Sequence, residues 1–298
     1  MDLSPVVVFS YNRPKHLQSL LASLEQNKES LNTDLYIYID GCDNKIDLNK
    51  NEEVVIVAEK DWKFKSKKII LRNKNYGIRR NIIEAVTEII NEYKKIIVLE
   101  EDLYVSGSFL KYMNNSLDKY KEEKKVWHIS GYSIEKLINN KNSSYFGEEM
   151  SCWGWGTWLD RWEYIENNLI NNISNLPKEK IRKFNFYGLN KNNLNQIILN
   201  EKNVIETWAI FWYQTIFLND GLCLNPSRSL VRNAGFDGSG VHKSTNNFYF
   251  TKNLNSNLIK NYPKRIRKSN FYEKLLIYAY FKMNIKDYIM YHARKLKS

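Results

Sequence analysis

The sequence predicts an α/β fold, a mixed, mostly parallel sheet flanked by helices. Three observations carry this. Short apolar runs recur at Val6–Phe9, Leu35–Ile39, Ile69–Leu71 and Ile96–Leu99. Stretches of helical length and pattern separate them. Each run stops at a polar cluster. In order, Val6–Val7–Val8–Phe9 reads as a buried first strand, and Pro14 then sets the first turn of a helix over Pro14–Glu25. Leu35–Ile39 leads to a helix over Asn51–Lys60, Ile69–Leu71 to one over Ile78–Tyr93, and Ile96–Leu99 to one over Phe109–Lys121. Ligands of such folds bind beyond the carboxyl ends of the strands. Those ends carry Ser10–Tyr11–Asn12–Arg13, Asp40–Gly41, Arg72–Asn73 and Glu100–Glu101–Asp102.

After Val126–Ile129 the texture changes. Residues 145–165 are rich in aromatics and glycine, and 166–203 in asparagine and lysine, which reads as helices with loops. Residues 204–218 read as an apolar helix, and 221–247 as a short strand and a long glycine-containing loop. The chain has 298 residues, 43% of them hydrophobic and 14% aromatic. That excludes collagen and wholesale disorder. Cys42, Cys152 and Cys223 lack CxxC spacing, which argues against a disulfide framework or zinc site and fits a reducing compartment. No apolar run reaches the ~18–20 residues of a membrane-spanning helix, and the N-terminus lacks a signal-peptide pattern. A cytoplasmic protein is expected.

The net charge is +12, and residues 252–298 hold 12 Lys/Arg against 2 Asp/Glu. This segment mixes Lys264, Arg265, Arg267 and Lys268 with Phe271–Tyr272, Leu275–Ile277 and Tyr280–Phe281. It is expected to be a basic amphipathic helix lying on an anionic membrane surface. A solvated helix packed on the domain is one alternative; a nucleic-acid groove is another, and no nucleic-acid partner is expected.

The most informative stretch is Ile96–Leu99 followed by Glu100–Glu101–Asp102. Three consecutive carboxylates at a buried strand's end repel one another unless a cation or donors compensate. Mg²⁺ or Mn²⁺, held by one or two carboxylates and substrate phosphates, is one solution, and a solvated acidic turn is the other.

Here the chain resembles a known family. Val6–Pro14 is similar to the opening strand of GT-A (Rossmann-like) glycosyltransferases. Ile96–Val105 followed by Phe109–Tyr112 resembles the metal-binding segment of the N-acetylglucosaminyltransferase of N-glycan processing. That family has Glu-Asp-Asp, so this chain departs from it at Glu101. Trp153–Trp158, Glu206–Ile210, and Asn225–Val231 through Asn233–His242 resemble segments of bacterial surface-polysaccharide (capsule and O-antigen) glycosyltransferases. The matches run over roughly residues 5–245 and leave out the tail. The resemblance implies a nucleotide-sugar-binding half over 1–130 and an acceptor-binding and catalytic half over 131–250, and the charge pattern adds a basic amphipathic segment over 251–298. It implies a metal-dependent, inverting transferase with a nucleotide-sugar donor, UDP-linked, and a saccharide acceptor. The acceptor would be lipid-linked at the inner face of the membrane, which gives the basic tail a purpose.

Within that family, Asp102 holds the Mn²⁺ and Glu101 keeps a carboxylate beside it. Asp40 either accepts hydrogen bonds from base or ribose or simply opens the Asp40–Gly41 turn. Ser10, Asn12 and Arg13 flank the same edge, and Arg13 would pair with base or phosphates. Asn75, Gly77 and Arg80 open a helix after the third strand. Gly77 permits close backbone approach, and Arg80 would meet a phosphate. An inverting transfer needs a general base. Glu206, before an apolar aromatic helix on the acceptor side, is the expected base, with Asp237 next. A carboxylate beside indoles has its pKa raised, which suits a base. His242, closing the Gly235–Gly240 loop, is the expected late metal ligand of a mobile lid. Trp153, Gly154 and Trp155 are the expected acceptor contacts, with Trp158 and Trp162 buried and His128 in a strand or core.

Two other classes compete. A sugar-nucleotide nucleotidyltransferase would need a glycine-rich loop with Arg and Lys after the first strand, where this chain has Ser10–Pro14. A non-catalytic carbohydrate- or nucleic-acid-binding protein has no need of the acid triplet or Glu206.

Overall fold

The computed structural model describes residues 2–42, 45–133, 142–166, 173, 176–186, 192–235 and 254–269. The first apolar run becomes β1 (Val6–Ser10), buried along its whole length. It pairs in parallel with β2 (Asp34–Ile39) on one side and β4 (Lys95–Glu100) on the other, and β3 (Ser66–Leu71) extends the sheet beyond β2. β4 then meets an antiparallel strand, β8 (Trp155–Trp158), which also pairs with β6 (Val126–Ser130). β9 (Leu222–Pro226) runs parallel to β6, and β7 (Ser144–Gly147) closes that side antiparallel to β9. The resulting eight-stranded order is β3-β2-β1-β4-β8-β6-β9-β7. A separate two-stranded ribbon joins β5 (Leu103–Val105) to β10 (Val231–Asn233). One sheet therefore runs through both halves expected from the sequence.

Strand alternation divides the core into two layers. Val6, Val8, Ile97 and Leu99 face one way, under α1 (Pro14–Glu25), α2 (Lys45–Glu59) and α4 (Phe109–Lys119). Val7, Phe9, Ile96 and Val98 face the other, under α3 (Gly77–Tyr93) and an aromatic cluster. Each such side chain taken out of water contributes about 1.5–3 kcal/mol. That cluster includes Trp162 of α5 (Leu159–Trp162) and Trp208 and Trp212 around the start of α8 (Ala209–Leu218). Between them lie α6 (Lys178–Phe184) and α7 (Asn192–Glu201).

Two helix starts and the basic segment differ from expectation for identifiable reasons. α2 starts six residues early, at Lys45. Its polar first turn is held by a tertiary bond from Asn12 Nδ2 to Asp47 Oδ1 (2.8 Å), and one turn on Asn51 Nδ2 donates to the carbonyls of Tyr11 (2.6 Å) and Asp40 (2.9 Å). α8 starts five residues late, at Ala209, because the preceding backbone is bonded elsewhere: Thr207 N donates to Asn200 Oδ1 (2.9 Å) and Arg79 Nε to the Thr207 carbonyl (3.2 Å). The basic segment contains no helix over residues 254–269. There Tyr262 stacks on Tyr112, Tyr120 Oη donates to the Pro263 carbonyl (3.1 Å), and Lys268 pairs with Glu148 (3.1 Å). Residues 270–298 lie outside the described residues. Among those described, no helix is long and apolar enough to cross a membrane.

Candidate active site

The ends of β1, β2, β3 and β4 lie along one edge of the sheet, and the chain leaves that edge through its polar clusters. Alternation sends neighbouring acids of the triplet different ways. Glu101 follows the face of Leu99 and is 4% exposed. Its carboxylate accepts from the Ser10 hydroxyl, from Tyr11 N (3.0 Å) and from Arg13 Nε (2.7 Å). Arg13 Nη1 also reaches Asp102 Oδ2 (3.2 Å). Burial works against this charged guanidinium, but Glu101 and Asp102 outweigh it and raise its pKa. Asp102 is partly open to solvent. Its carbonyl accepts from Ala234 N (2.7 Å), and a Cβ on Gly235 would lie 2.4 Å from its Oδ2. The bare glycine is what leaves room for that carboxylate.

Glu100 follows the opposite face, toward Trp208. Burial raises its pKa to about 8, Asp102 pushes the same way, and Arg13 and the Trp208 indole partly oppose them. The folded protein therefore holds this proton more tightly than an unfolded chain, whose carboxyl titrates near 4.5. The resulting stability is complete below that value and is lost as pH rises through about 8. Chemical denaturation at pH 5, 6.5 and 8 is expected to show wild type losing on the order of a few kcal/mol relative to Glu100→Gln. Parallel pH profiles would remove Glu100 as the cause.

Asp40 is spent on the fold. Its Oδ1 accepts from Gly41 N (3.0 Å) and Tyr76 N (2.8 Å), and its Oδ2 from Gly77 N (3.1 Å). Burial raises its pKa although these amides pull the other way. It thereby fastens the end of β2 to the start of α3. Asn75 Oδ1 also accepts from Gly77 N (2.8 Å). Arg80, expected at a phosphate, is exposed. It pairs with Glu84 (2.6 Å) and lies over the Tyr76 ring (4.2 Å). Asn12 is taken up by Asp47, as above.

Glu206 is exposed and lies against the loop that opens α3, on the same edge as the strand-end acids rather than apart from it. A Cβ at Gly77 (φ +74°) would come within 2.6 Å of Glu206 Oε2 and 2.8 Å of Oε1. The residues flanking Glu206 are gripped from α3 and α7. Arg79 donates to Thr207 O and Asn200 Oδ1 and stacks on Phe211, and Asn200 Nδ2 donates to Thr207 Oγ1 (2.9 Å). The acid that sits beside an indole is Glu100, which sequence reasoning left without a role. Arg79 and Asp47 also went unread. Period-two alternation along β4 is the signal that separates Glu100 from Glu101; nothing local marks Arg79.

The expected acceptor contacts divide. Trp155 is 0% exposed, stacked between His128 (5.7 Å) and Trp208 (5.2 Å), and meets no solvent. Gly154 (φ +67°) is buried under Val231, Leu99 and Phe109, where a side chain would clash. Both are core: Trp155 opens the interior strand β8, and Gly154, just before it, accepts from Gly131 N (2.6 Å). Trp153 is half-buried, edge-on to Tyr132 at 4.5 Å. Trp158 and Trp162 are buried. His128 lies in β6, its Nδ1 accepting from Trp212 Nε1 (3.1 Å). That bond assigns the proton to Nε2, which donates to the Ser151 carbonyl (3.1 Å), and burial pulls the imidazole's pKa down to about 3. Asp237 and His242 lie outside the described residues.

No protein-family model and no curated protein sequence matches the chain. Solved structures are similar in chain path. S. aureus TarS aligns with 78% of this chain and 36% of its own, at 14% identity and TM-score 0.44. The TarS fragment 1–349 aligns over 79% and 61%, at 12% identity and TM-score 0.43. The mannosyltransferase PcManGT from Pyrobaculum calidifontis, in complex with GDP-Man and Mn²⁺, aligns over 72% of each chain at 8% identity and TM-score 0.40. The chain thus spans about a third of the first and three-fifths of the second. Likeness this distant leaves the chemistry of the site to be judged on its own residues.

Among the described residues no three His, Cys, Asp or Glu side chains gather to hold a metal unaided. A magnesium or manganese site completed by substrate phosphates needs less, one or two carboxylates. Asp102 suits that role chemically: a hard-oxygen donor, partly exposed, with the bare Gly235 beside it.

Proposed function

We propose that the chain is a divalent-metal-dependent, inverting glycosyltransferase. It would move a hexosyl or N-acetylhexosaminyl group from a nucleotide-sugar, UDP-linked, to a saccharide acceptor. The observation that supports this best is the convergence of Asp102, Arg13, the Asp40–Gly77 contact and Glu206 on the carboxyl edge of the parallel strands. The loop after β1 has no glycine-rich cradle, which disfavours a nucleotidyltransferase.

In this reading the β1–α1 and β3–α3 loops hold the nucleotide. Arg13 meets the diphosphate, and Glu206 takes the proton of the acceptor hydroxyl as that oxygen attacks the anomeric carbon. Asp237 is the second choice for that proton. Asp102, with His242 from the following loop, would hold the Mn²⁺ or Mg²⁺, which supplies charge stabilisation for the departing diphosphate. Trp153 is the remaining tryptophan for a sugar face. A lipid-linked acceptor of bacterial surface-polysaccharide synthesis, met at the inner face of the cytoplasmic membrane through the basic tail, completes the reading.

A thermal-shift panel of UDP-, GDP-, CMP- and dTDP-sugars, with and without Mn²⁺, tests it. One nucleotide class is expected to raise Tm, more so with Mn²⁺. A ligand at a hundred times its Kd contributes about 2.7 kcal/mol. Shifts with free sugars and none with any nucleotide would replace the transferase with a carbohydrate-binding protein.

A further inference from the structure

Arg13 is the one basic side chain bonded to the strand-end acids among the described residues. Its backbone carbonyl accepts from His16 N and Leu17 N at the start of α1, but nothing in that helix start fixes its side chain. It stands at the N-cap of α1 and makes no side-chain cap bond, and a positive charge there opposes the helix dipole. What fixes it is the pair of acids. Nε is tied to Glu101 at 2.7 Å, and Glu101 is itself held by Ser10 and Tyr11 N. Nη1 is thereby brought to Asp102 Oδ2 at 3.2 Å. The planar fork lets one side-chain charge pair with both neighbouring carboxylates at once.

A divalent cation on Asp102 would therefore stand beside an anchored guanidinium, half-shielded from solvent, and like charges at that range repel strongly. A diphosphate reverses the balance, because its oxygens accept from the guanidinium and coordinate the cation together. We propose that Arg13 keeps a bare divalent cation off Asp102 and admits it only in company with a nucleoside diphosphate. Metal and nucleotide binding are then coupled through one side chain, and the coupling acts equally in both directions. The proposal rests on the reading of Asp102 as the cation ligand.

The test is an EPR titration of free Mn²⁺ against the full chain, alone and then with saturating UDP or GDP. Arg13→Gln is expected to bind Mn²⁺ alone at least tenfold more tightly than wild type. Arg13→Lys, which keeps the charge, is expected to stay near wild type. UDP or GDP should raise the Mn²⁺ affinity of wild type at least tenfold, and that of Arg13→Gln by clearly less. Equal Mn²⁺ affinity in wild type and Arg13→Gln overturns the proposal, as does equal tightening in Arg13→Lys or no effect of either nucleotide on wild type. Arg13→Met, which leaves Glu101 held by Ser10 and Tyr11, serves if Arg13→Gln does not fold. Asp102→Asn in the Arg13→Gln background separates the two levels. Loss of Mn²⁺ binding there confirms the ligand, whereas unchanged binding removes Asp102 from the site and takes the underlying reading with it.

Discussion

Glu206→Gln is expected to keep donor binding and lose transfer by about 10²–10⁴-fold, the range a positioned general base supplies. The substitution is nearly isosteric, so the seat over Gly77 stays filled and the grip of Arg79 and Asn200 on Thr207 is untouched. What disappears is the basic oxygen. Donor affinity by thermal shift and turnover by nucleotide release separate the two quantities. The placement over Gly77 sharpens the experiment, because in Glu206→Gln a residue that merely fills that seat would leave both donor binding and turnover unchanged. Turnover retained in Glu206→Gln would move the base to another acid of this edge, with Asp237 the next to replace.

Trp155→Ala is expected to destabilise the protein by about 3–5 kcal/mol, as large aromatic-to-alanine changes in cores do. The ring packs against His128, Trp162, Trp208 and Trp212, with centroids between 5.2 and 6.1 Å. The loss is read as a fall in Tm of roughly 10 °C, taking about 2–4 °C per kcal/mol. An acceptor-stacking residue behaves oppositely: its alanine variant keeps Tm and loses acceptor affinity. Unchanged Tm would return Trp155 to the acceptor site. The partly exposed Trp153 is the better place to look for a change in acceptor KM.

How much of this was legible follows from which signals are local. The four parallel strands were readable because each is an apolar run bounded by polar residues, and α1 because Pro14 fixes its first turn. β8 was harder. Trp155–Gly156–Thr157–Trp158 is too short to show a strand period, and its glycine and tryptophans also suit a sugar-binding loop. Only its pairing with β4 and β6 decides for the core. The start of α8 is not local: an apolar helical pattern reaches back to Val204, whereas Arg79, some 130 residues earlier, holds that backbone out of the helix. At the strand edge, the presence of Glu101, Asp102 and Arg13 was legible, and so was their nearness. Their bonding was not, since alternation had to be carried past the end of β4 to send Glu100 and Glu101 to opposite faces.

The position of β8 also bears on how the chain is made. β4 is flanked by β1, which precedes it, and by β8, which is synthesised some sixty residues later. Until then one side of Lys95–Glu100 is a raw edge, and Ile96–Ile97–Val98–Leu99 is an uncharged β-prone run within it, of the kind that templates strand addition between chains. A nascent chain ending near residue 130 would carry four mutually paired strands and this open border. Fragments cut at that point are therefore expected to aggregate, and the second half of the molecule acts toward the first as a covering strand as well as a partner in the site.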